Sequence, residues 1–212
     1  MHEKAGVHTE NRCEALEFAL SARLVSRHCC LVQEPWQANL LAVQALTSPV
    51  LGERAILHGD EIIALSASDE VQALIARSGA CPVPVTQAPQ EGRVALSLLE
   101  SALSPMTKAV YLRHEEDAFD LRDVRNFCNK YELWLIEDST ALLGAPYLFD
   151  GKLYYKGTVG DVGTVSFPSQ GPAAVLTNDH TLARLLVALR TEQASVTEAR
   201  AQACLDQLTQ LP

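Results

Sequence analysis

Seven short runs of apolar and β-branched residues recur along this chain, at 29–33, 61–65, 83–85, 109–112, 134–137, 162–167 and 173–177. Between the first five lie segments with apolar residues at helical spacing, 39–46, 71–78, 96–103 and 121–131. A strand followed by a helix carries the chain back to start a neighbouring strand in the same direction. This rhythm therefore predicts βαβ units around a mostly parallel sheet. The expected fold class is α/β, a three-layer α/β/α sandwich on a seven-stranded sheet.

The last two runs break the rhythm. Gly151, Gly157, Gly160, Gly163, Pro168, Gly171 and Pro172 are dense there, so turns replace helices and an antiparallel pairing is expected. One long helical segment follows at 181–208, with Leu182, Leu185, Leu186 and Leu189 on one face and Asn178 or Asp179 as its cap. With 48% hydrophobic and 20% charged residues the chain can bury a sizeable core. No repeat or linker marks a boundary, so residues 1–212 are read as one domain with its core at about 16–189.

Seventeen Lys and Arg stand against 26 Asp and Glu, a formal charge of −9, and no run of basic residues occurs. That balance argues against nucleic acid, whose phosphates need clustered cations. No apolar stretch is long enough to span a membrane, and the first ten residues lack a signal-peptide layout, so a cytoplasmic location is expected. Cys13, Cys29, Cys30, Cys81, Cys128 and Cys204 are dispersed without a Cys-x-x-Cys pair, so free thiols are expected and no metal site.

In open α/β sheets the chemistry gathers at the carboxyl ends of the strands, which here means residues 34–39, 66–70, 114–117, 138–141 and 166–171. Several segments repeat a known order: 39–42, 45–49, 51–54, 59–63 and 103–105, then 119–121, 133–138, Leu143 with Gly144, Gly160 with Asp161, and 164–167. As an ordered series they resemble the DegT-type sugar aminotransferases, fold-type-I pyridoxal phosphate (PLP) proteins. Within that family the nearest look is the CDP-4-keto-6-deoxyglucose 3-dehydrase branch of lipopolysaccharide biosynthesis. The resemblance covers the family's large domain. It implies a dimer, a nucleotide-sugar ligand, and PLP or its pyridoxamine form (PMP) as electron sink. The family's smaller C-terminal domain is expected to be absent, making this a truncated form.

The resemblance carries over to few site residues. Asp138 stands where the family places the partner of the pyridine nitrogen, although Asp138, Ser139 and Thr140 also read as an ordinary helix cap. Ser166 matches a serine that contacts the cofactor phosphate. Elsewhere the family's residues are replaced. Its phosphate cradle becomes Glu34, Pro35, Trp36 and Gln37, adding a charge and removing a donor. Its stacking aromatic falls in the stretch Ser66, Ala67, Ser68, Asp69, Glu70, and the polar residue three after the ring partner is Ala141. The Schiff-base Lys or His is Gln170. Lys108, Lys130, Lys152 and Lys156 read as surface lysines that do not replace it.

Glu34, Asp69, Glu70, Glu115, Glu116 and Asp117 would all repel a phosphate at the sheet edge. Trp36 reads as a plug filling the emptied site, with an interface anchor as the alternative. The sequence thus predicts a non-catalytic paralogue without a cofactor. The alternative is a PLP- or PMP-dependent nucleotide-sugar aminotransferase or 3-dehydrase with a non-standard site. A third reading has the acidic edge bind a divalent cation or a basic partner, although acidic clusters mostly form solvated faces.

Overall fold

The computed structural model describes residues 11–86, 96–114, 121–149, 151–168, 171–190 and 196–209. All seven expected strands form, as β1 (His28–Val32), β2 (Glu61–Leu65), β3 (Cys81–Val85), β4 (Thr107–Arg113), β5 (Trp134–Ser139), β8 (Val162–Ser166) and β9 (Ala173–Thr177). They make one sheet in the order β1-β9-β8-β5-β4-β2-β3. The run from β8 to β3 is parallel, while β9 is antiparallel to both β8 and β1.

Four helices follow the early strands: α2 (Pro35–Leu46), α3 (Asp69–Arg77), α4 (Leu96–Ala102) and α5 (Leu121–Lys130). Parallel strands covered on both faces need near-continuous apolar runs, and β5 is buried at all six of its residues. Residues alternate between the two faces along each strand. Ile136, Val162, Val175 and Cys30 face a core shared with α2 and α6 (His180–Arg190). Leu135 and Val110 face the opposite core under α4 and α5. Leu31, Val165 and Leu176 join a third cluster under α1 (Arg12–Leu24) and α7 (Glu198–Leu208).

The sheet ends at β3, whose Pro82 and Pro84 have no N–H to donate. An edge strand is where such residues fit, and they also discourage pairing with another chain.

Three features differ from the sequence reading. Helix α1 was not expected, and it is held by Leu16, Leu20 and Leu24, a narrow stripe at a spacing of four. The turn-rich region contains a hairpin outside the main sheet, β6 (Pro146–Phe149) paired with β7 (Lys152–Tyr155). The single segment at 181–208 is two helices. Asp179 starts α6 by accepting the N–H groups of Thr181 and Leu182, and Thr197 starts α7 by accepting that of Arg200. Asn178 instead accepts the N–H of Arg27.

Candidate functional site

The segments leaving β1, β2, β4, β5 and β8 converge at one end of the sheet, as the parallel pairing requires. At its centre lies Asp138, the fifth residue of β5, which is 2% exposed. Its Oδ2 accepts hydrogen bonds from the Tyr111 hydroxyl at 2.9 Å and the Asn39 amide at 3.2 Å. Its Oδ1 accepts from the N–H and hydroxyl of Thr140, at 3.1 and 2.7 Å. Four donors thus address a group with about four acceptor positions. Thr164 completes the network, its hydroxyl donating to the side-chain Oδ1 of Asn39 at 2.7 Å. Burial, then Asp138 itself, pushes the Tyr111 phenol well above its usual range, so Tyr111 remains a donor. The Asp138–Thr140 contact makes the cap-like alternative real, although no helix follows; Leu142 turns back to the Ser139 carbonyl instead.

Beside Asp138, Glu137 points to the opposite face with no exposed surface. The loop after β7 wraps around it, and the N–H groups of Gly157 (3.0 Å), Val159 (2.7 Å) and Gly160 all donate to its carboxylate. His114 Nε2 adds a fourth contact at 2.8 Å. Burial alone would raise the Glu137 pKa, but His114 and the backbone amides outweigh it and the net direction is down. The chain therefore has an anion cradle of backbone amides, and its own carboxylate occupies it. Gly157 is required there, at φ +91° with the space for a Cβ bounded by Val165 and Ser139.

The other expected residues fall into place with corrections. Ser166 is buried and donates its hydroxyl to the Thr140 carbonyl. It lines a cleft of about 680 Å³ together with Glu34, Pro35, Thr140, Gly144 and Phe167. Glu34 caps α2, its N–H donating to Gln37 Oε1 at 3.0 Å, and its carboxylate meets Arg200 at 3.4 Å. Trp36 is 56% exposed, so it does not plug an emptied site, because the first turn of α2 directs it outward. Asp69 and Glu70 are exposed in the first turn of α3. Lys156, expected at the surface, is buried, while Lys130 and Lys152 are exposed. Glu115, Glu116, Asp117 and Gln170 lie outside the described residues. Among the described residues no cluster of three metal-ligating side chains occurs, and no helix is long and apolar enough to cross a membrane.

Sequence reasoning passed over Glu137 and Tyr111, and placed His114 only within the strand-end segment 114–117. The available signal was a second carboxylate inside an apolar strand, since a charge between Ile136 and a strand end must find partners when buried.

Architecture and site position together define the large-domain fold of the fold-type-I PLP transferases. The model of the DegT/DnrJ/EryC1/StrS aminotransferase family matches residues 3–203, and the chain belongs to that family. It is 40% identical over 156 residues to the lipopolysaccharide biosynthesis protein RfbH of Salmonella typhimurium, covering 73% of this chain and 35% of that protein. It is 33% identical over 183 residues to the dTDP-4-dehydro-2,6-dideoxy-D-glucose 3-dehydratase of Saccharopolyspora spinosa, covering 82% and 38% respectively. The chain thus spans little more than a third of the length of these relatives. Among solved structures, an aminotransferase from Psychrobacter cryohalolentis superposes with a TM-score of 0.80 over 95% of this chain and 56% of that one, at 21% identity. The S. venezuelae protein DesV, in complex with a ketimine intermediate, gives 0.75 at 25% identity, over 94% and 57%.

Proposed function

We propose that this chain is a nucleotide-sugar aminotransferase-like domain that works without a pyridoxal cofactor, as a non-catalytic binding or assembly protein linked to surface-polysaccharide sugar biosynthesis. The observation that carries this reading is the saturation of Asp138. A pyridine nitrogen would have to displace Tyr111, Asn39 or Thr140 to reach its carboxylate. The residues at the neighbouring strand ends do not fit the rest of the group. The start of α2 offers a carboxylate and a proline where a phosphate needs donors, and Ser66, Ala67 and Ser68 supply no stacking aromatic. The Ser166 hydroxyl, the remaining phosphate contact implied by the resemblance, is spent on the Thr140 carbonyl. A homodimer belongs to this reading, as the commonest symmetric state of soluble oligomers.

The test is spectroscopic. Protein purified in the presence of pyridoxal phosphate and then dialysed is expected to be colourless, with no cofactor absorbance beyond the aromatic band. A yellow protein whose absorbance survives dialysis overturns the proposal. One observation favours a second reading, an active aminotransferase or 3-dehydrase with a non-standard site: Asp138 keeps its place at the carboxyl end of β5. Turnover of a nucleotide-linked keto sugar by the purified chain would select it.

A further inference from the structure

At the other end of the sheet two imidazoles meet. The register pairs His28 with Thr177 and Leu176 with Gly163, which sets His28 level with the start of β8, away from the site around Asp138. His28 opens β1 and His180 opens α6. His28 Nε2 stands 2.9 Å from His180 Nδ1, with the ring centroids 4.7 Å apart and the planes at 68°. Two nitrogen lone pairs facing each other at that distance would repel, so a shared hydrogen or a shared cation must lie between them. The segments that carry the rings are tied together. The Ser26 hydroxyl lies 3.4 Å from the Thr177 carbonyl oxygen, and Arg27 donates its N–H to Asn178 Oδ1 at 2.9 Å. Asp179 Oδ1 fixes the start of α6. The pair is thus positioned by two elements, and His180 is exposed, so a solute reaches it.

The spacing suits a metal ion as well as a hydrogen. Zinc binds imidazole nitrogen at about 2.0–2.1 Å, and two such bonds, at an angle between a right angle and the tetrahedral value, set their nitrogens about 2.9–3.4 Å apart. Turning the rings about χ2 aims both lone pairs at one point. The hydrogen between the rings then moves to the far nitrogen of its own ring, and both imidazoles stay neutral. Desolvation, His180 and Arg27 lower the His28 pKa against the pull of Asp179, so that ring is neutral at pH 7. Imidazole favours ions such as zinc, nickel and copper, whereas magnesium and calcium prefer oxygen ligands. The Asp179 carboxylate favours a cation here, while Arg27 and the N-terminus of α6 oppose one. With two protein ligands the affinity should therefore be moderate.

We propose that His28 Nε2 and His180 Nδ1 form a two-imidazole site for a divalent ion of the zinc class, with water filling the remaining coordination positions. The pair lies away from Asp138, so the inference stands or falls independently of the cofactor-free reading. Zinc chloride is titrated calorimetrically into the full chain in a non-chelating buffer, beside His28→Ala, His180→Ala and, at another exposed histidine, His58→Ala. One zinc ion bound per chain is expected, at least tenfold more weakly after either change in the pair and unaltered in His58→Ala, with magnesium giving no heat. In the unsubstituted chain labelled with 15N-histidine, the ring resonances of His28 and His180 should shift together as the site fills, a readout that depends on no variant folding. Zinc binding of equal strength in His180→Ala would mean an adventitious ion only and overturns the proposal. So does the absence of zinc binding, equal binding of magnesium, or a His28 resonance that ignores zinc.

Discussion

Glu137 shows how a charge is kept in a core without water. Three backbone N–H groups and one imidazole satisfy it, so its ionised form is favoured despite full burial. Glu137→Gln would turn an amide donor toward amide donors, and a loss of about 3–5 kcal/mol is expected in urea unfolding, as for other broken buried pairs. The pH dependence has a fixed sign. A carboxyl whose folded pKa lies below its unfolded value stabilises the fold above the unfolded value, and that stability disappears as pH falls through the folded one. The gap in melting temperature between wild type and Glu137→Gln should therefore be widest near neutrality and close in acid below about pH 4. A gap that stays constant down to that range would exclude the charge as its source. Tyr111→Phe is a milder change, because Asp138 keeps the Asn39 and Thr140 donors, and about 1 kcal/mol is expected from the same assay. Trp36→Ala should cost less than about 1 kcal/mol, since the ring is mostly in solvent.

At the scale of elements, the loop joining β7 to β8 is the tightest constraint. A Cβ on Gly163 would stand 1.8 Å from the Gly157 carbonyl oxygen, a backbone atom that cannot step aside without breaking the cradle. Gly163→Ala should destabilise by about 4 kcal/mol or more, or leave no folded protein to measure. Gly151, in the hairpin, has a positive φ but open space around it, so Gly151→Ala should cost only about 1 kcal/mol. Equal losses at the two sites would show that steric approach is not the cause. The same contrast explains what was legible in the sequence. The inner strands of the sheet announced themselves because both faces are buried and their runs are largely apolar, as in Leu135 and Ile136, and the half-exposed edge strand β3 showed through Val83 and Val85. Helix α1 did not, because Leu16, Leu20 and Leu24 make a stripe one residue wide among charged neighbours. The β6–β7 hairpin stayed hidden because its paired residues Leu148 and Leu153 are both exposed and show no inward alternation. Asp138 was visible as a strand-end carboxylate. Its saturation was not, since Tyr111 and Asn39 are 27 and 99 residues away in sequence.

For the whole molecule, the central sheet couples three clusters of buried side chains. One lies between the sheet and α2, α3 and α6, and two lie on the opposite face. No cluster can lose its sheet face without uncovering another, because neighbouring residues of one strand, such as Leu135 and Ile136 or Leu31 and Cys30, belong to different clusters. Such interleaving predicts one cooperative unfolding transition. The two tryptophans allow this to be read locally. Trp134 opens β5, donating its indole N–H to the Arg54 carbonyl at 2.8 Å with the Arg54 guanidinium 3.4 Å from its ring, whereas Trp36 is in solvent. In Trp36→Phe the fluorescence reports β5 alone, while circular dichroism reports all the helices, including α1 and α7 at the far edge. The two urea transitions are expected to share a midpoint and a slope. A fluorescence midpoint displaced from that of the helices would mean that the layer under α1 and α7 separates from β5, and that the sheet does not unite its two faces.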